Sequence, residues 1–182
     1  MAAIEFRRAE LKDLPTTHSL VCSAYGDATG QGWVLQTDIY SGDRVSLDEI
    51  VGYFHKPNAH IFLAESSHED IIGVAGCQIQ NNIAHLSLAS VSPSCQGQGV
   101  FRSMHKFIEL KAIQLGARQF NLEVLWMKDA LISYYKRLGY FRVGTKAYRE
   151  VKDGCLLHND LYYMTMTLEL VQNDEKYRQN GH

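Results

Sequence analysis

Chemistry in this chain centres on the stretch Val91-Ser-Pro-Ser-Cys-Gln-Gly-Gln-Gly-Val-Phe101. An apolar, β-like run from Ile83 to Val91 feeds into it, and a helical pattern leaves it at Val100. Between them Gly97 and Gly99 flank a single glutamine, Gln98. A strand, a glycine turn and a helix start in that order point several backbone N–H groups one way. Together with the positive end of the helix dipole they make an anion site suited to a phosphate. Glycine serves there because it tolerates positive φ and lets a ligand approach the backbone. Other chemistries find no support in residue spacing. The eight histidines show no paired ligand spacing, so no built-in metal is expected. The four cysteines (Cys22, Cys77, Cys95 and Cys155) form no Cys-x-x-Cys pair and read as free thiols.

The elements that hold this loop follow from periodicity and turn signals. Ile4–Arg8 reads as a strand and Asp13–Ala24 as a helix, followed by a glycine-rich break from Gly26 to Gly32. Ser46-Leu-Asp-Glu49 matches a capping box and starts a helix that runs to about Phe54. Three strands are predicted next, at His60–Glu65, Ile71–Gln80 and Ile83–Val91, with Asn81-Asn82 as a hairpin turn. They form an antiparallel meander. The helix after the glycine loop runs from about Gly99 to Leu115, with Val100, Met104, Phe107, Ile108 and Leu115 on one stripe. Lys111 falls inside that stripe and is expected to snorkel to its edge. A strand at Gln119–Leu125, a helix at Asp129–Leu138, and strands at Tyr140–Thr145 and Leu161–Leu170 complete the order. The strands on either side of the loop helix should be parallel, joined by a right-handed crossover.

The 182 residues suffice for one domain with a full core, expected over residues 1–171 and followed by a polar tail at 172–182. A net charge of −2, with no Lys/Arg cluster, argues against a nucleic-acid partner. No apolar run is long enough to cross a bilayer, and the N-terminus has no hydrophobic signal core, so a cytoplasmic location is expected.

Two signatures in these contexts resemble the GNAT acetyltransferase superfamily. Gln96-Gly-Gln-Gly99-Val-Phe101 is similar to the family loop Gln/Arg-x-x-Gly-x-Gly/Ala, with Phe101 in place of its final small residue. Tyr134-Tyr-Lys-Arg-Leu-Gly-Tyr140 is similar to the family's helix-end signature, which puts Tyr135 at the tyrosine position. The resemblance is strongest from Ile83 to Val143. It implies a mixed α/β fold, as a single domain with a mostly antiparallel central sheet, a parallel splayed strand pair and flanking helices. It further implies acetyl-CoA as cosubstrate and direct acyl transfer to the amine of a small molecule or peptide, with no metal.

The implied roles follow residue by residue. Gln96, Gly97, Gln98, Gly99, Val100, Phe101 and Arg102 form the pyrophosphate loop, and Arg102 can add its charge. Ala89, Ser90 and Val91 offer pantetheine an unpaired strand edge. Tyr135, with Tyr134 as competitor, is the acid that protonates the leaving thiolate. Ser133 contacts the coenzyme arm. His85 and Glu123 are the candidates for a general base, with ordered water as the alternative. Tyr25, Trp33, Tyr40 and Arg44 fall where the family builds its acceptor pocket. Phe101 also motivates a different reading, a module of this shape that binds acyl-CoA as a sensor or scaffold without turnover. Homodimers are common among such domains, though no sequence feature marks one here.

Overall fold

The computed structural model describes residues 4–26, 45–67, 70–147 and 162–170. Expectations for Trp33, Tyr40, Arg44, Cys155 and the tail at 172–182 lie outside them. Seven strands form one sheet in the order β1-β2-β3-β4-β5-β7-β6. The strands are β1 (Glu5–Arg8), β2 (Ala59–Glu65), β3 (Ile71–Gln80), β4 (Ile83–Val91), β5 (Gln119–Leu125), β6 (Phe141–Ala147) and β7 (Tyr162–Glu169). The helices are α1 (Leu14–Gly26), α2 (Leu47–Phe54), α3 (Val100–Gln114) and α4 (Asp129–Arg137). Every neighbouring strand pair is antiparallel except β4 and β5. The fold is the expected mixed α/β arrangement.

Local sequence explains the joints. Ser46 accepts from the Glu49 N–H while the Glu49 carboxylate accepts from the Ser46 N–H, so the predicted capping box starts α2. Asn81 and Asn82 sit at φ 51° and 62°, the left-handed pair of a tight hairpin. β3 and β4 therefore occupy the predicted ranges.

Two apolar layers cover the sheet. On one face α3 and α4 bury Met104, Ile108, Ile132 and Tyr135 against Leu86, Phe120 and Leu122. On the other, α1 and α2 bury Leu14, Val21 and Ile50 against Ile61, Leu63 and Val74. The inward stripe of α3 differs from the expected one. It takes in His105 and Ala112, while Leu115 lies outside the helix and 52% exposed. Hydropathy passes over a buried histidine, so the stripe read from apolar residues is rotated. Lys111 does lie along the stripe's edge, its Nζ 5.5 Å from the Phe107 ring centre.

Two irregularities prepare the site. β4 and β5 pair only from Ile83 to His85 against Gln119 to Asn121, and beyond that they part. Just past this point β4 carries a bulge. Gly76 pairs with Ser87 but Val74 pairs with Ser90, and Leu88 takes a left-handed φ of 51°. No helix among the described residues is long and apolar enough to cross a membrane. Cys77 and Cys95 are free thiols.

Candidate active site

The glycine loop leaves β4 through a short 3₁₀ turn at Pro93–Cys95 and enters α3. Gly97 and Gly99 have φ of 72° and 81°, a region that side chains strain to reach. A Cβ on either would meet nothing within 4 Å, so backbone conformation requires these glycines, not crowding by the protein. Among the described residues no side chain caps α3, and its first helical bond runs from Ser103 N–H to Gly99 C=O at 3.1 Å. The N–H groups of Val100, Phe101 and Arg102 precede that bond and have no helical acceptor. The loop is braced from within: Gln96 Nε2 donates to Val91 C=O at 3.1 Å, and Gln98 Nε2 donates to Ser94 C=O at 3.0 Å.

Phe101 does not crowd the loop. Its half-buried ring turns inward, 6.1 Å from the Tyr134 ring and 6.2 Å from the Tyr135 ring. Phe101 still lines the first lobe.

A groove with two lobes runs from this loop into the gap between β4 and β5. The first lobe, about 420 Å³, is lined by Gln96, Gly97, Gly99, Val100, Phe101 and Arg102 from the loop, with Leu131, Tyr134, Tyr135 and Arg137 from α4. The second, about 480 Å³, is lined by His85 to Val91 of β4, Asn121 to Val124 of β5, and Tyr25, Tyr163 and Thr165. Ala89, Ser90, Val91, Gln96, Leu131 and Tyr135 line both lobes, so the lobes meet at the strand edge that β5 leaves unpaired.

Tyr135 stands at that junction, and burial holds its hydroxyl protonated far above its usual range, with Tyr25 and Tyr134 acting in the same direction. Partial burial also raises Tyr134, and Arg102 and Arg137 oppose that effect. It lines the first lobe only. The Tyr25 hydroxyl reaches Ala89 C=O at 3.4 Å, bringing α1 against the bulged strand. Ser90 is buried, and its Oγ has no hydrogen-bond partner among the described residues.

The site residues named from sequence divide by location. His85 and Glu123 both line the second lobe and both are exposed. Glu123 holds the Lys146 ammonium, with Nζ 2.9 and 3.2 Å from its two oxygens. Gln98 and Ser133 are exposed and line neither lobe. Sequence reading missed Arg137, which brings a second cation to the first lobe beside Arg102. Its signal was the Lys136-Arg137 pair directly after Tyr135, visible only once α4 is known to pack beside the loop. Asn121 and Thr165 in the second lobe were likewise not named, since their inward turn depends on β7 inserting between β5 and β6.

Known proteins share this fold and this sequence pattern. A family model described as Acetyltransferase (GNAT) domain matches residues 30–160. No curated protein matches the sequence significantly. Among solved structures, the ribosomal-protein-S18-alanine N-acetyltransferase from Escherichia coli superposes with a TM-score of 0.70 at 18% identity, covering 96% of this chain and 98% of that one. An N-acetyltransferase from Staphylococcus aureus Mu50 gives 0.70 at 17% identity, covering 93% and 100%. The spermidine N-acetyltransferase from Vibrio cholerae, in complex with CoA and spermine, gives 0.69 at 16% identity, covering 92% and 95%. At these identities the superpositions speak to fold alone. The family match spans most of the sequence and includes both the glycine loop and Tyr135, and by it this chain belongs to the GNAT acetyltransferase family.

Proposed function

We propose that the protein transfers an acetyl group from acetyl-CoA to a primary amine of a small molecule or peptide by direct attack. One observation carries this reading. The glycine loop and Tyr135, which lies 36 positions after Gly99, line a single lobe that opens onto an unpaired strand edge. An uncapped helix start with Arg102 and Arg137 beside it suits the pyrophosphate. The free edge of β4 at Ala89–Val91 suits an extended arm that hydrogen-bonds as an added strand would. CoA bound to the Vibrio cholerae structure is consistent with that assignment. When bound, acetyl-CoA supplies the thioester.

In this reading the amine attacks from the second lobe, where its nitrogen forms the new bond to the acyl carbon as the carbon–sulfur bond breaks. Tyr135 gives its proton to the leaving sulfur, which suits a hydroxyl that burial keeps protonated. His85, or water beside it, takes the proton lost by the amine. Phe101 lends no weight to a non-catalytic module, since its ring packs against Tyr134 and Tyr135.

The test is Tyr135→Phe, assayed by CoA release on an amine that the wild type acetylates. A fall in kcat of about a hundredfold is expected, the size of a lost general acid, with KM for acetyl-CoA little changed. An unchanged kcat removes Tyr135 from the mechanism.

A further inference from the structure

We infer that Glu123 anchors a second, non-reacting ammonium of the acceptor, so that the preferred substrates are amines carrying an additional positive charge. This rests on the acetyltransferase reading above and names the substrate class of the same groove.

The two lobes differ in charge. Among the described residues, the first is lined by Arg102 and Arg137 and by no carboxylate. Among the described residues lining the second, there is one carboxylate, Glu123, and no lysine or arginine. A phosphate-bearing ligand suits the first lobe, and a cation suits the second. Tyr25 and Tyr163 also line the second lobe, and aromatic faces are compatible with a cation.

Strand alternation gives Glu123 its direction. Phe120, Leu122 and Val124 of β5 face the core that contains α3 and Tyr135. Asn121 and Glu123 therefore face the other side of the sheet. Glu123 lies two residues beyond Asn121, the last residue of β5 paired with β4, and so stands at the opening of the gap.

An ammonium already sits at this carboxylate. Lys146 reaches from β6 and holds both Glu123 oxygens, at 2.9 and 3.2 Å. The side chains of Lys146 and Glu123 are 63% and 40% exposed. An exposed pair of this kind contributes little, so an acceptor ammonium can replace Lys146 at small cost. That ammonium cannot be the reacting one. The reacting nitrogen must be neutral to attack, and a neighbouring carboxylate favours the charged form. The reacting amine belongs by Tyr135 and the β4 edge, and Glu123 holds the charge at the other end.

The experiment compares three acceptors of equal chain length: a monoamine, a diamine, and an amine with a terminal carboxylate. For the wild type, KM should be lowest for the diamine and highest for the carboxylate-bearing amine. Glu123→Gln should raise KM for the diamine by about two- to fivefold, the scale of an exposed ion pair. It should leave KM for acetyl-CoA unchanged, because the phosphate-binding residues line the other lobe. Lys146→Gln should lower KM for the diamine by a similar factor, and the diamine's advantage should fade at high salt. The inference is overturned if Glu123→Gln affects all three acceptors alike, or if Lys146→Gln fails to improve the diamine. A wild type that binds acetyl-CoA in calorimetry yet acetylates no amine overturns the acetyltransferase reading, and this one with it.

Discussion

His105 Nε2 lies 2.8 Å from the Tyr140 hydroxyl, both residues buried where α3 meets the segment between α4 and β6. Phe101 and Phe120 close over the same imidazole at 6.0 and 5.5 Å. Tyr140 in turn packs edge-on against Tyr135, 5.5 Å between ring centres. One hydrogen bond thus joins the helix that starts at the glycine loop to the rings that surround the proposed acid. A buried imidazole in an apolar layer resists protonation, and burial pushes the His105 pKa down to about 4.

The sign of the resulting pH dependence follows from linkage. Unfolded histidine titrates near 6.5, so between that value and about 4 the unfolded chain binds a proton that the native fold does not. Stability from His105 is complete above about pH 6.5 and declines as pH falls towards 4, by about 3 kcal/mol in full. Urea midpoints measured at pH 7.5 and at pH 5 should differ accordingly. His105→Gln should flatten that slope. An unaltered slope would assign it to other groups.

Carboxylates act at lower pH. The Arg7 guanidinium bonds both Asp13 oxygens, at 2.6 and 3.0 Å, and Glu65 at 2.6 Å, joining β1, the turn before α1, and β2. Asp13 also accepts from the Glu10 N–H at 2.7 Å. Its hydrogen bond to Arg7 holds the Asp13 carboxyl below the usual carboxylate range. Its contribution is therefore present above that range and lost as pH falls through it. Asp13→Asn should cost about 1–3 kcal/mol at neutral pH. The difference from wild type in chemical denaturation should narrow below pH 4. A gap that stays constant with pH would show that charge is not what Asp13 contributes.

How much of this could be read from sequence depended on the range of the interactions involved. β3, β4 and β5 were legible to the residue because each is bounded by a local signal, with Asn81-Asn82 turning β3 into β4. The glycine loop and Tyr135 were legible because glycine at positive φ and the tyrosine spacing are written into contiguous stretches. The place of β7 between β5 and β6 was not legible, because that pairing depends on partners far apart in the chain. Arg137 and the Glu123–Lys146 pair depend on the same long-range packing. His105 was passed over for another reason. Its polarity hides it from hydropathy, and its partners, the Tyr140 hydroxyl at 2.8 Å and the Glu109 carboxylate at 3.9 Å, are set by packing.

Gly76 is fixed by contact and not by φ. A Cβ there would lie 2.6 Å from Ser87 Oγ and 3.0 Å from the Tyr53 ring. Ser87 is the residue at which β4 enters its bulge. Gly76→Ala should therefore push β4 away from β3 or displace Tyr53, at a cost of about 1–3 kcal/mol. The melting temperature should drop by several degrees, and activity should fall more than stability alone explains, because the second lobe is lined by the bulge itself. Full activity in a destabilised variant would separate the bulge from the chemistry.

Gly99 distinguishes backbone strain from ligand exclusion. Valine there would be forced to φ 81°, which costs about 1–2 kcal/mol, and its side chain would stand in the open concavity of the loop. Gly116, at the far end of α3, supplies the control. It has φ 88° and equally open surroundings, but it lines neither lobe. Gly116→Val should pay the same backbone cost and keep its affinity for acetyl-CoA. Gly99→Val should lose affinity at least tenfold in calorimetry, about 1.4 kcal/mol, at a comparable loss of stability. Equal affinity in the two variants would mean that the N-terminus of α3 does not hold the coenzyme's phosphates, and the groove would need another ligand.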